Sequence, residues 1–203
     1  MTENLPQNID PSIFFAYNRT MEKRTRTKGE WLRFALQIVL TAACVLAVAF
    51  IFSNSLKTGE ESSEQSSSVV DLIQEVAAFF DPDSPIATAT GEDYARLHSG
   101  VRTLAHFGEF ALLGALFCGC CFSYTLKLPF QGIAGGGVAL VPCIDETLQA
   151  FTAGRAADWR DILVDIAGGA CGWLCVFACV LLGVWLFAKI RRKKSGGIPS
   201  KEC

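Results

Sequence analysis

The stretch LRFALQIVLTAACVLAVAFIF, Leu32 to Phe52, carries one charge, Arg33 at its start, and no other. A helix of that length crosses the roughly 30 Å hydrocarbon layer of a bilayer. It lies behind a polar segment of 30 residues, is longer than the apolar core of a cleavable signal peptide, and lacks a small-residue cleavage pattern after it. It therefore reads as a retained anchor, and the chain as a membrane protein.

Working outward, three more apolar runs follow. Residues 105–124 are interrupted only by His106 and Glu109, residues 128–151 end in CIDETLQAF, and residues 162–188 contain only Asp165 as a charge. With 51% hydrophobic residues overall, the expectation is an all-α polytopic integral membrane protein, a four-transmembrane-helix bundle with an external amphipathic helix. The chain divides into a cytoplasmic tail 1–30, a first span 31–52, an external loop 53–103, a three-helix core 104–188 and a basic tail 189–203.

Basic residues orient it. Arg19, Lys23, Arg24, Arg26 and Lys28 precede the first span and AKIRRKK follows the last, whereas the loop 53–103 holds three Lys/Arg against nine Asp/Glu. Positive charge is retained on the cytoplasmic side, so both termini are expected there. Arg155 and Arg160, in the external link TAGRAADWRD, run against that bias. The net charge of −2 conceals the asymmetry, and nothing in the pattern points to a nucleic acid partner.

Eight of the nine cysteines lie within the spans, and Cys203 ends the chain. Cys171, Cys175 and Cys179 recur every fourth residue and read as small packing residues of one helix stripe rather than a disulfide framework. CGCC, residues 118–121, has no histidine near it to complete a metal site. In the external loop, SNSLKTGEESSEQSSS is too polar to pack. Val69, Leu72, Ile73, Val76 and Phe80 then mark an amphipathic helix at 68–80, lying on the outer leaflet or against the bundle. EDYARLHSGVRTL has no proline and can lead into the second span as helix. Gly132 with Gly136, and Gly168 with Gly172, have the small-xxx-small spacing that lets helices touch in lipid. Pro142 is expected to kink the third span just before Asp145.

The ionisable groups of the core converge on one level. In the expected topology His106 and Glu109 begin the second span, Asp145, Glu146 and Gln149 end the third, and Asp161 and Asp165 begin the fourth. At about 1.5 Å rise per residue, all fall within roughly 10 Å of the external interface. His106 and Glu109 share a helix face, as do Asp145 with Gln149 and Asp161 with Asp165. Glu146 lies about 100° round from Asp145, so the two point at different neighbours. Acids at this level outnumber the nearby Arg155, Arg160 and Arg102. They cannot all stay ionised without compensation: some are protonated, or a metal or cationic ligand binds, or water reaches them. Headgroup-level solvation and helix-dipole stabilisation explain single acids. Three helices contributing to one layer make a site, because intramembrane ionisable groups are functional by default.

These residues resemble the VanZ-like membrane proteins. The resemblance rests on RTLAHFGEFALLG and DETLQAFTAGRAADWRDILVDIAGGACG, and on FSNSLKTGEESSEQSS after the first span. Matching positions are Arg102, His106, Glu109, Glu146, Gln149, Gly154, Arg155, Asp158, Asp161, Asp165, Gly168 and Gly172. Asp145 is additional to the pattern. The resemblance implies a role at the cell envelope and, through the founding member, lowered susceptibility to lipid-tailed glycopeptides such as teicoplanin.

Two functions remain open from the sequence. One is an enzyme on a lipid-linked envelope component, with His106, Glu109, Asp145, Glu146 and Asp165 catalytic. Gln149, Arg155, Asp158, Asp161 and Arg102 would then bind substrate, with Arg155 clamping an anion. The other is a non-catalytic binder that shields or remodels the envelope. A proton-coupled transporter is a third reading, weakened by the absence of acids towards Lys127. The cofactor, any metal and the oligomeric state are left unknown.

Overall fold

In a computed structural model, the described residues are 27–155 and 158–195. The PSIFFAYNR segment, the basic residues before Thr27 and Cys203 lie outside them. The described chain is all-α: α1 (Lys28–Ser55), α2 (Gly59–Phe80), α3 (Gly91–Tyr124), α4 (Leu128–Ala150) and α5 (Trp159–Ser195).

The described residues 27–36 belong to one unit, in which a reciprocal cap starts α1. The Thr27 backbone N–H donates to Glu30 Oε2 at 2.8 Å, and the Glu30 N–H donates to Thr27 Oγ1 at 3.3 Å. The described residues from Gln37 onward belong to a second unit. There α1 and α3 run antiparallel, since Gln37 Nε2 donates to the Ser123 carbonyl at 2.9 Å while Asn54 Nδ2 donates to Glu109 Oε1 at 3.1 Å. Ile51, Phe110, Leu113 and Val141 bring α1, α3 and α4 together in the buried core.

Glycine sets the closest helix pair, α3 with α5. A Cβ at Gly168 would overlap the Phe107 carbonyl, one at Gly172 the Ala111 carbonyl, and one at Gly114 the Gly169 carbonyl. Backbones therefore meet directly, as small-residue stripes permit in lipid. Trp173, Phe177 and Phe122 continue the seam, with the Trp173 and Phe177 rings stacked at 4.8 Å. Gly132 and Gly136 behave differently: no described atom lies within 4 Å of a Cβ built at either. On α4 it is Gly137 that admits a neighbour, the Phe117 ring, 2.7 Å from such a Cβ.

The expectation of four spans is corrected. Among the described residues three helices, α1, α3 and α5, are long and apolar enough to cross a membrane, and α4 is not one of them. The protein is an all-α, multi-pass membrane protein, with three apolar spans and two further helices among the described residues. The reason lies in α4 itself. Gln131 near one end and Asp145, Glu146 and Gln149 near the other are all buried polar groups, leaving an apolar middle of about a dozen residues. That is the length of a buried core helix. Helix α4 runs back along the bundle, from Gln131 beside Cys118 to Asp145 beside Ser55, and continues through the buried Pro142.

Outside the spans, the serine-rich segment is helical. Thr58 caps α2 through a reciprocal pair with Glu61: the Thr58 N–H donates to Glu61 Oε2 at 2.8 Å and the Glu61 N–H donates to Thr58 Oγ1 at 3.2 Å. The amphipathic segment expected at 68–80 is its second half. The buried residue of α2 is Val70, while Val69, Leu72, Val76, Phe79 and Phe80 stay exposed. Helix α2 packs on the first turns of α3, where Tyr94 donates to Asp71 at 3.3 Å and His98 Nε2 meets the Ser63 carbonyl at 3.1 Å. Small serines suit that face because they allow close approach and carry hydroxyls that bond backbone carbonyls, as Ser66 does to Ser62. No described cysteine forms a disulfide, and Cys171, Cys175 and Cys179 are exposed on α5 rather than packed between helices.

Candidate functional site

Helix α1 ends at Ser55, next to the middle of α3 and to the ends of α4 and α5 that carry the acids. Ser55 Oγ is bonded to Asp145 Oδ1, and Gln149 Nε2 donates to Asp145 Oδ2 at 2.8 Å. Ser55, Asp145 and Gln149 are all buried. Asp145 thus has a donor on each oxygen, one from its own helix four residues on and one from across the bundle. On α3, Glu109 accepts from Asn54. On α5, Asp165 is 0% exposed, and neither of its carboxylate oxygens makes a hydrogen bond. His106 Nδ1 comes within 3.5 Å of Asp165 Oδ1, also without a hydrogen bond. His106, Asp145 and Asp165 bring one nitrogen and two carboxylate oxygens within 4.8 Å of one another.

Asp145 and Glu146 diverge, as their 100° offset on the helix requires. Glu146 turns to the loop after α4, where its Oε1 accepts from the Asp158 backbone N–H while Oε2 has no partner. The inward acid of the pair is therefore Asp145, the one additional to the family pattern, and Glu146 ties the loop down. Asp158 caps α5: its Oδ1 accepts the Arg160 N–H at 2.9 Å, the usual use of Asp at a helix start. Asp161 follows in the first turn of α5. Arg160 is exposed over the neighbouring Trp159 ring.

The loop between α4 and α5 is pinned to the α1–α2 turn. Gly59 N–H donates to the Ala153 carbonyl at 3.0 Å, and Thr152 Oγ1 donates to the Ser55 carbonyl at 3.1 Å. Gly154 adopts φ +75, and a Cβ on Gly59 would overlap its carbonyl, so both positions demand glycine. This pinning places Arg155, whose Nη2 donates to the Asn54 carbonyl at 3.3 Å and whose Nε has no partner. Partial burial, then the like charge of Arg102, push the Arg155 guanidinium below the ordinary arginine range.

Two cavities flank these arginines. One, of about 140 Å³, is lined by Asn54, Ser62, Ser66, Arg102, His106 and Glu109 among others. The other, of about 370 Å³, is lined by Ser99, Arg102, His106, Arg155, Asp158 and Asp161 among others. Arg102, His106 and Arg155 line both. Asn54, Ser55, Ser62 and Ser66 escaped the reading of individual residues. The available signal was the FSNS segment at the end of the first span, which enters only through the family resemblance.

Fold and site together define a class: a multi-pass helical membrane protein with a His/Asp-rich polar cluster at one end of its bundle. The VanZ/LLP1 family model matches residues 39–183, well over half of the chain, and the chain belongs to the VanZ/LLP1 family. No curated protein and no solved structure matches it. The matched region begins within α1 and ends within α5, so it includes every residue of the polar cluster.

Proposed function

We propose that the pocket binds an anionic, lipid-linked component of the bacterial cell envelope at the outer face of the membrane. The observation that carries this reading is the pairing of Arg102 and Arg155 on the walls of both cavities, directly beside His106. Two guanidinium groups at the mouth of a partly desolvated site are stabilised by an anion between them, and arginine is the side chain best shaped for a phosphate. The outer-face assignment follows the charge bias: Lys127 and the basic residues Lys189, Arg191 and Arg192 near the C-terminal end of α5 belong to the other end, and nine acids lie between α1 and residue 103.

Behind the arginines stand a histidine and three carboxylates. His106 and Glu109, one turn apart, supply the minimum for proton transfer to a ligand held by Arg102 and Arg155. Asp145 and Asp165 orient and charge the floor of the site. Lowered susceptibility to teicoplanin belongs to this reading as one consequence of altering an envelope component. The pinned loop and the donors on Asp145 support a preorganised pocket over a loose collection of solvated acids.

The test replaces His106 by Ala and Glu109 by Gln, with membrane levels confirmed, and scores lipoglycopeptide susceptibility and envelope lipid composition. Loss of the phenotype in both variants, at wild-type abundance, is the expected result. Wild-type behaviour of both would end the catalytic reading. Binding without chemistry would then be isolated by Arg155→Gln, which removes the anion clamp alone.

A further inference from the structure

The geometry points to a divalent metal site formed by His106 Nδ1, Asp145 and Asp165, suited to a first-row ion of the manganese–zinc range. This assignment stands on the donor atoms and does not need the anionic ligand proposed above.

Three observations converge. Asp165 is fully buried, yet both its oxygens lack hydrogen-bond partners. His106 Nδ1 is buried and likewise makes no hydrogen bond, lying 3.5 Å from Asp165 Oδ1. One ring nitrogen of His106 and one carboxylate oxygen each of Asp145 and Asp165 lie within 4.8 Å of one another. A tetrahedral ion with bonds near 2.0–2.2 Å sets its ligands roughly 3.4 Å apart, so rotamer adjustments of under about an ångström complete the set.

A proton is the competing way to relieve two neighbouring carboxylates. A protonated Asp165 would be an O–H donor and would need an acceptor, but no oxygen of Asp165 makes a hydrogen bond, His106 Nδ1 standing off at 3.5 Å from Oδ1. Ser55 and Gln149 hold Asp145, and Gln149 donates to it, the arrangement expected of an ionised carboxylate. A divalent ion satisfies the orphaned atoms of His106 and Asp165 together and balances the charge of both acids. Ser55 and Gln149 then act as the outer partners that commonly orient ligating carboxylates. One imidazole with two carboxylates is the donor chemistry of borderline and hard first-row ions, and the exposed cysteine stripe on α5 takes no part. The remaining positions of the ion would face the cavities that His106 lines.

The full chain, purified in mild detergent with a histidine-free tag, is stripped with chelator and titrated with Mn²⁺, which avoids competition from thiols. We expect about one bound equivalent by elemental analysis and a thermal midpoint that rises with Mn²⁺. Asp165→Asn and Asp145→Asn should weaken binding by at least about tenfold and abolish the thermal shift, while His98→Gln, the other histidine, should change neither. Because Asp165→Asn removes a buried charge that makes no hydrogen bond, its metal-free form should melt no lower than metal-free wild type, which separates ligand loss from misfolding. If that variant is lost from the membrane, Asp145→Asn and His106→Gln decide the same question. Binding of Zn²⁺ in place of Mn²⁺, with the same losses in the variants, supports the site. Metal content no higher than the detergent blank for both ions, or affinity unchanged by Asp165→Asn, overturns it. Metal bound normally beside a wild-type envelope phenotype in His106→Ala and Glu109→Gln would instead sink the functional reading and leave the metal site standing.

Discussion

His106 Nδ1 and Asp165 Oδ1 face each other at 3.5 Å across the α3–α5 seam, and the spacing of that seam is set by glycine. Phe107, the residue after His106, presents its carbonyl to Gly168, three residues after Asp165. The helix contact that carries the fold is thereby the one that brings a histidine together with a buried carboxylate that makes no hydrogen bond.

Gly168→Ala should accordingly disturb both. Its Cβ meets backbone rather than a flexible side chain, so α3 and α5 must separate. We expect a loss of about 1–3 kcal/mol, the usual range for overpacking, with functional loss at permissive temperature. Gly132→Ala meets no described atom within 4 Å and should be neutral or stabilising by up to about 1 kcal/mol. Thermal unfolding of the two variants in detergent makes the comparison, and equal midpoints would refute the glycine seam.

Ser55→Ala removes one donor from a buried carboxylate and leaves an Asp145 oxygen short of a partner. The expected destabilisation is about 1–3 kcal/mol. Asp145→Asn in the same background should recover part of it, since the charge needing that donor is gone. A double-mutant cycle on unfolding midpoints measures the coupling, and strict additivity would show that the bond contributes nothing.

Arg155→Lys keeps the charge but loses the planar fork and the reach to the Asn54 carbonyl. We expect activity in the envelope assay to fall at least about tenfold, corresponding to roughly 1.4 kcal/mol of ligand stabilisation. Arg160→Lys, on an exposed side chain at the start of α5, should be silent. Equal effects of the two substitutions would argue against an anion clamp at Arg155.

The Thr58–Glu61 cap gives a pH signature. Hydrogen bonds from the Thr58 backbone and side chain hold the Glu61 carboxyl below its usual value. Its contribution to α2 is therefore present above the ordinary glutamate pKa of about 4.3 and is lost as pH falls through the lowered folded value. Amide exchange in the first turns of α2 should accelerate below that pH in the wild type. In Glu61→Gln, which has no carboxyl to titrate, exchange there should not respond to acid in this range. An identical pH response in both would dismiss the cap.

Much of the architecture was legible because hydropathy and charge are local properties of the chain. The runs within α1, α3 and α5 are long, apolar and continuous, and their membrane assignment needs no partner. Residues 128–151 misled because mean hydropathy averages over Gln131, Asp145 and Glu146, whose burial among other helices lets them sit inside a helix that is not a span. The serine-rich segment misled in the opposite direction. Low hydropathy suggests disorder, but Thr58 and Glu61 start a helix there, and α3 offers it a face for small polar side chains.

The sequence by itself determined that this is a helical membrane protein and that a histidine, several acids and two arginines belong to one end of it. Periodicity and rise per residue place groups by level and by face of their own helix. Only the tertiary structure decided which faces meet: that Asp145 rather than Glu146 joins His106 and Asp165, that Ser55 and Asn54 supply the donors, and that Gly168 rather than Gly132 sets a helix separation. Those outcomes depend on the rotation of each helix against its neighbours, which is settled by side-chain packing across the bundle and leaves no periodic trace in any one segment.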